Sequence, residues 1–364
     1  MTDNESEIYR ELQKHLDQFP IGFPASMSGI ELRMLQHLFT ENEAFIATKL
    51  RWDYDKLDNI HRRLDIKELS IEHLKQILDN MGKKGTIKYK LENGEKLYAN
   101  IPLVVGMYEY QVDKLSLEFL EDFEEYLVTT FGAELLGSKI SQFRTIPIEQ
   151  SITLDQRIAN YDEVKQVIEN IQEPIGVAHC LCRQAKELNN QPCKKTSLKE
   201  SCLYFGKTGQ LFINEGWARS INKEEAFKLL QQAENDGLVI QTGNTKVPEF
   251  ICSCCGCCCI ILTKLQKLPR PSRIIPSNFH SEINPELCAG CGTCIERCQT
   301  NAIKLIDNLA KVILKRCIGC GACVPTCPEG AIQLKKKDEE NIPPKTTEDL
   351  YAMIMDKKRQ LRKK

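Results

Sequence analysis

Four cysteines, Cys288, Cys291, Cys294 and Cys298, are repeated 29 residues later as Cys317, Cys320, Cys323 and Cys327. Both sets read C-x2-C-x2-C-x3-C. By this spacing thiolates hold cubane iron-sulfur clusters, three from a tight loop and a fourth from the other repeat. Such a site moves single electrons or senses redox state. Zinc suits the pattern poorly, because it favours four thiolates in two paired knuckles rather than a third cysteine at x2 and a fourth at x3 in duplicate. Gly290, Gly292, Gly319 and Gly321 lie inside the ladders, where the missing Cβ lets backbone N–H groups approach cluster sulfides.

Ten further cysteines precede the ladders: Cys180, Cys182, Cys193 and Cys202, then Cys252, Cys254, Cys255, Cys257, Cys258 and Cys259 in the run ICSCCGCCC. Neighbouring residues of an extended chain point to opposite sides, so some of these thiols can face one metal centre while the rest face another or the core. They suffice for one further iron-sulfur cluster, even two, or for zinc, and which four bind is left open. Packing as small buried hydrophobes accounts for a few of them but not for so dense a run. His179, beside Cys180, is a candidate ligand, although a lone histidine more often has a structural role.

The remaining chemistry is sparse. No G-x-G-x-x-G follows a strand, and Gly206-Lys207-Thr208 lacks the first glycine of a phosphate loop, since Ser201 stands five residues earlier. There is no covalent haem motif and no carboxylate pair placed for acid–base work. Whether the chain is itself an oxidoreductase is therefore undecided, and no catalytic residue is assigned.

The elements that must carry these groups read as an α+β protein. Residues 1–150 form a mainly helical, winged-helix-like domain, with apolar positions at helical spacing from Ile30 to Leu50 and a helix over 70–81 capped by Ser70. A hairpin over 86–101 follows, turning at Asn93-Gly94. Lys75, Lys83 and Lys84 are the candidate DNA contacts on such a module. The surrounding 150 residues carry 18 basic and 26 acidic side chains, which repels a phosphate backbone, so an assembly or dimerisation scaffold is the better-supported reading. Residues 151–265 make a Cys-rich α+β middle domain, with helices over 154–171 and 222–235. Residues 266–281 read as a linker, 282–336 as the ladder domain, and 337–364 as a basic tail with a helix started by Thr346 and Asp349.

Composition narrows the setting. The 49 basic and 50 acidic residues select no partner class by net charge. The cysteines all follow residue 179 and the polar start MTDNESEIYR does not read as a signal peptide, so metal binding in a reducing cytoplasm is expected rather than a disulfide scaffold. No apolar run approaches the roughly 18 residues of a membrane helix.

Residues 282–334 closely resemble the bacterial-type dicluster ferredoxins, each ladder leading into Ala-Ile and a short strand at Ala302-Ile303 and Ala331-Ile332. The resemblance implies a pseudo-twofold fold and two 4Fe-4S clusters. It also implies that Cys288, Cys291, Cys294 and Cys327 hold the first cluster and Cys317, Cys320, Cys323 and Cys298 the second. Pro328 fits the family pattern, and Gln299 departs from it where a proline is usual. The order GFPASMSGIELRML, PLVVGMYEYQ, Cys180-x-Cys182-Arg183, ICSCCGCCC and ladders also resembles a group of poorly characterised iron-sulfur proteins of anaerobes. The reading is an iron-sulfur electron-transfer protein working with redox partner proteins, its oligomeric state undetermined. The alternatives are a redox-sensing winged-helix DNA-binding regulator and an iron-sulfur oxidoreductase with its substrate site in the middle domain.

Overall fold

The computed structural model describes residues 3–66, 68–152 and 158–362. It is a mixed α+β chain that divides into two compact units: Met1–Ser138 with Leu211–Trp217 and Tyr351–Lys364, and Lys139–Gln210 with Ala218–Leu350.

Unit one contains helices α1 (Asp3–Leu16), α2 (Ile30–Leu38), α3 (Glu41–Ala47), α4 (Leu57–Leu64), α5 (Ile71–Lys84), α6 (Leu117–Tyr126) and α7 (Gly132–Gly137). Its strands β1 (Asp55–Lys56), β2 (Ile87–Glu92) and β3 (Glu95–Asn100) form a sheet of order β1-β3-β2. The succession runs α3, β1, α4, α5, then the hairpin β2-β3. Local chemistry sets the boundaries. Thr40 and Glu43 form a reciprocal capping box at α3, Ser70 accepts the His73 amide at the start of α5, and Gly85 ends α5 at φ 80°. Asn93 and Gly94 both take positive φ between β2 and β3, the two-residue turn that matches strand twist. Leu74, Leu78 and Met81 of α5 are fully buried, and Tyr108 stacks on Phe123 with ring centroids 4.0 Å apart.

Within PLVVGMYEYQ the chain makes a wide helical turn in which Val105 is held at φ 56°, ψ 51°, a conformation that is rare for a β-branched residue. The turn brings the Gly106 amide to the Glu109 carboxylate at 2.9 Å. Burial pushes the Glu109 carboxyl up to about 7.

Unit two is built on a six-stranded antiparallel sheet of β4 (Phe143–Ile146), β5 (Ile175–His179), β6 (Glu200–Phe205), β7 (Arg219–Ile221), β8 (Val239–Gly243) and β9 (Phe250–Cys254), in the order β4-β8-β9-β6-β5-β7. Helices α8 (Val164–Glu169), α9 (Leu181–Leu188), the start of α10 (Gly206–Asn214), α11 (Lys223–Asn235) and α12 (Ile260–Leu265) intervene. The helix expected over 154–171 is shorter than its periodicity suggests. Only Val164–Glu169 is α-helical, after a 3-10 turn at Asn160–Asp162, and residues 153–157 lie outside the described part. Side chains alternate across the sheet. Val177, Leu203, Ile240 and Ile251 bury with Val164, Ile168, Ala226 and Leu230 in one apolar core, which turns Cys202 and Cys252, register partners on β6 and β9, to the opposite face.

The C-terminal module adds β10 (Phe279–Ile283), α13 (Thr293–Arg297), β11 (Ile303–Ile306), β12 (Leu309–Val312) and β13 (Ile332–Lys336), with β10 pairing β13 and β11 pairing β12. The first of these strands, Phe279–Ile283, begins inside the stretch 266–281 expected as linker. The last helix, α14 (Thr347–Arg362), starts with reciprocal Thr346 and Asp349 hydrogen bonds. No helix among the described residues is long and apolar enough to cross a membrane.

An acid whose folded pKa lies near 7 holds its proton more tightly folded than unfolded. Glu109's contribution to stability is therefore complete below its ordinary value near 4.5 and is lost as pH rises through 7. Between about pH 4.5 and 8 the loss should reach about 3 kcal/mol, and Glu109→Gln should flatten the slope, as thermal unfolding at several pH values would measure.

Candidate metal centres

The ladders fold so that their cysteines converge in two groups. Cys288, Cys291 and Cys294 meet Cys327 of the other ladder around a cleft of about 340 Å³ that opens to solvent, with Ile283, Ala310 and Ile332 on its apolar wall. Cys320 and Cys323 lie within electrostatic reach of Cys317 and Cys298. The glycines are needed for their backbone: Gly290, Gly292, Gly319 and Gly321 all have φ between 65° and 83°. A Cβ on Gly319 would come within 2.3 Å of the Phe279 carbonyl oxygen.

Backbone amides converge on the sulfurs with the same twofold relation. Ala302 N–H donates to Cys298 Sγ at 3.1 Å and Ala331 N–H to Cys327 Sγ at 3.3 Å, each four residues past its cysteine. Ala310 N–H donates to Cys288 Sγ at 3.4 Å and Ser281 N–H to Cys317 Sγ at 3.5 Å. Ser281 Oγ also lies 3.2 Å from Cys323 Sγ. Sulfur-directed donors favour the thiolate and tune a bound cluster. Residues 280–341 match the 4Fe-4S dicluster domain family.

No curated protein matches the chain. The dicluster domain implies two 4Fe-4S clusters and iron-sulfur electron carriage, and its thiol groups with their amide donors fit that cofactor class. The two halves differ in environment. Cys291 is exposed, and the Thr293 hydroxyl lowers its pKa. Burial pushes Cys323 up to about 12 and Cys320 well above an ordinary thiol. Ser281 carried no sequence signal, because it lies on β10, in the stretch read as linker.

Gln299, the departure from the family pattern, is 4% exposed and docks the dicluster domain onto the Cys-rich turn. Its Oε1 accepts the Gly256 N–H at 2.7 Å, its Nε2 donates to the Gly237 carbonyl at 3.0 Å, and its own carbonyl accepts Gln266 Nε2 at 2.8 Å. A proline there could make neither side-chain bond. Gly256 is tight as well, since a Cβ would meet Gln266 Nε2 at 2.3 Å.

The ten middle cysteines separate into two sets. Cys193, Cys255, Cys257 and Cys258 place their sulfurs within 4.8 Å of one another. The contacts Cys193–Cys255, Cys193–Cys257, Cys255–Cys257 and Cys257–Cys258 are 3.6, 3.7, 3.5 and 3.6 Å. With metal–sulfur bonds of about 2.3 Å, a tetrahedron has sulfur edges of about 3.8 Å, so these four have the spacing of one tetrahedral ion. A cubane puts each thiolate on its own iron and requires the sulfurs to spread around the whole cluster. Cys255 is pushed down to about 4 by contact with Cys258 and by the Arg183 guanidinium, against its burial. Cys180, Cys182, Cys202, Cys252, Cys254 and Cys259 form the second set. His179 is exposed at the end of β5.

Lys75 pairs with Asp79 at 3.1 Å and Lys84 with Glu43, while Lys83 lies in the last turn of α5. Lys207 of Gly206-Lys207-Thr208 pairs with Glu249 at 3.2 Å and with Glu348, while Thr208 donates to Glu249. Those carboxylates stand where a phosphate loop would need open donors.

Replacing Gln299 with Ala should leave the Gly256 amide without its acceptor and cost about 1–3 kcal/mol. Anaerobic thermal unfolding would measure the loss, and Gln299→Glu, which keeps an acceptor for the Gly256 amide but sets a buried carboxylate oxygen against the Gly237 carbonyl, should lose no less.

Proposed function

We propose that the chain is an electron-transfer protein whose dicluster domain exchanges electrons with a redox partner at the Cys291 edge, and whose middle domain carries a structural zinc. The observation that carries this reading is the meeting of three thiols from the first ladder with Cys327 of the second at a cleft open to solvent. On this reading Cys288, Cys291, Cys294 and Cys327 hold the outer cluster, and Cys317, Cys320, Cys323 and Cys298 the inner one. The clusters supply one-electron transfer. The chain's own residues set its conditions: the amides of Ala302, Ala310, Ala331 and Ser281 stabilise negative sulfur, and Ile283, Ala310 and Ile332 keep one wall of the outer site apolar.

The four-thiol group of Cys193, Cys255, Cys257 and Cys258 takes a single tetrahedral ion, with zinc the best match to its spacing. It fixes the loop containing Cys193 to the turn after β9, next to the Gly256–Gln299 bond. For unit one, the ion pairs on Lys75 and Lys84 support an assembly surface over a DNA-reading one.

Cross-ladder ligation has a specific outcome. The double variant Cys298→Ala/Cys323→Ala should lose one cluster, about four irons, while Cys298→Ala/Cys288→Ala should lose both, about eight. Iron and acid-labile sulfide on anaerobically purified protein would decide, and equal losses would defeat the pairing. Cys193→Ser/Cys257→Ser should remove about one zinc per chain and leave the iron count unchanged.

A further inference from the structure

The six remaining middle cysteines close into a ring. Cys202 and Cys252 face each other across β6 and β9, Cys180 lies within interaction reach of Cys182 and Cys202, Cys182 and Cys254 lie within reach of Cys259, and Cys252 lies within reach of Cys254. Each thiol thus has two thiol neighbours. The fold produces this directly. Cys202 and Cys252 are register partners on β6 and β9, Cys254 follows Cys252 on the same face of β9, Cys180 and Cys182 flank the step from β5 into α9, and Cys259 caps α12. Cys180, Cys202 and Cys259 are buried, while Cys182, Cys252 and Cys254 keep accessible surface, so the ring borders open space.

Six thiols exceed what one tetrahedral ion uses. Six thiolates around a single divalent ion would also leave roughly four negative charges uncompensated in a buried site, a costly arrangement. A site that uses all six therefore holds more than one metal ion, with thiolates or inorganic sulfide shared between them. All-sulfur donor sets select zinc, copper(I) or iron-sulfur clusters, and two features favour iron and sulfide. Cys259 of the ring is buried in an apolar cluster with Ile318, and Cys254 of the ring and Cys320 of the second ladder both pack against it, which puts the ring beside the inner group of the dicluster domain. Arg183, 4% exposed, also feels the charges of Cys180 and Cys202. It donates to the Leu198 and Ser253 carbonyls at 3.1 and 2.8 Å, yet its buried Nε has no hydrogen-bond partner. A fixed cation with spare donor capacity suits a buried anionic cluster.

We infer that Cys180, Cys182, Cys202, Cys252, Cys254 and Cys259 bind a polynuclear iron-sulfur centre, separate from the four-thiol site and adjacent to the inner dicluster group. Its position makes it the inner end of the electron path, an extension that rests on the dicluster domain carrying electrons; the binding site itself does not.

The test is metal and acid-labile sulfide content with Mössbauer and EPR spectra of the full-length protein purified anaerobically. The wild type should hold more than the about eight irons of two cubanes. Cys202→Ala/Cys252→Ala should lose the excess, with zinc and the dicluster EPR signals unchanged. A complementary variant, Cys288→Ala/Cys298→Ala, should lose the cubane signals and keep the excess iron and sulfide, so a misfolded ring variant does not leave the question open. If the wild type holds no iron beyond the two cubanes, or if Cys202→Ala/Cys252→Ala loses zinc in place of iron, the inference is overturned. Excess iron surviving without cubane signals in the wild type would sink the dicluster reading instead.

Discussion

Thiols of both middle sets stand around one buried guanidinium. Arg183 is close enough to Cys180, Cys202, Cys255 and Cys193 for their charges to act on it, and these cysteines come from both thiol sets. Thiolates repel one another, and burial alone raises a thiol pKa. Hydrogen bonds from neighbouring thiols, with this cation beside them, let one thiol in each set ionise: Cys258 lowers Cys255 to about 4, Cys182 and Cys202 lower Cys180 well below an ordinary thiol, and Cys258 and Cys182 are raised in turn. The Arg183 hydrogen bonds to Leu198 and Ser253 tie β9 to the loop before β6, so the residue that balances charge also holds in place the strand that carries the sulfurs.

The dicluster domain is symmetric in bonding and asymmetric in surroundings. Equivalent amides, Ala302 and Ala331, donate to equivalent sulfurs. One group nevertheless opens to solvent at Cys291, whereas the other is buried at Cys317 and Cys323 and borders the apolar cluster around Cys259. Gln299 breaks the sequence symmetry at the point where the domain meets the Cys-rich turn, so the difference between the repeats is a docking contact.

The ladders were legible because their cysteines lie at short fixed spacings in local loops and the whole pattern is repeated 29 residues on. The hairpin over 87–100 and the start of α5 were legible for the same reason: Asn93-Gly94 and Ser70 act over a few residues. The division of the ten middle cysteines was not. It depends on the pairing of β6 with β9 and on the return of the chain at Cys193, contacts between residues some fifty or more apart that no local pattern encodes. Alternation along β9 could suggest two sets, but only the sheet register assigns Cys202 to one and Cys193 to the other. Arg183 was visible as a residue beside Cys182, and its role became apparent only when the strands brought their sulfurs to it. The helix expected over 154–171 is shorter in the structure because the buried Arg144–Asp162 pair, 2.7 Å apart, sits at a 3-10 turn over Asn160–Asp162 that periodicity does not reveal.

Cys254 and Cys255 are joined by one peptide bond yet belong to different thiol sets, so slipping β9 by a single residue would exchange the sulfurs offered on the two faces of the sheet. The sorting of the middle thiols into two sets therefore exists only in the folded sheet, once β6 and β9 have paired in this register.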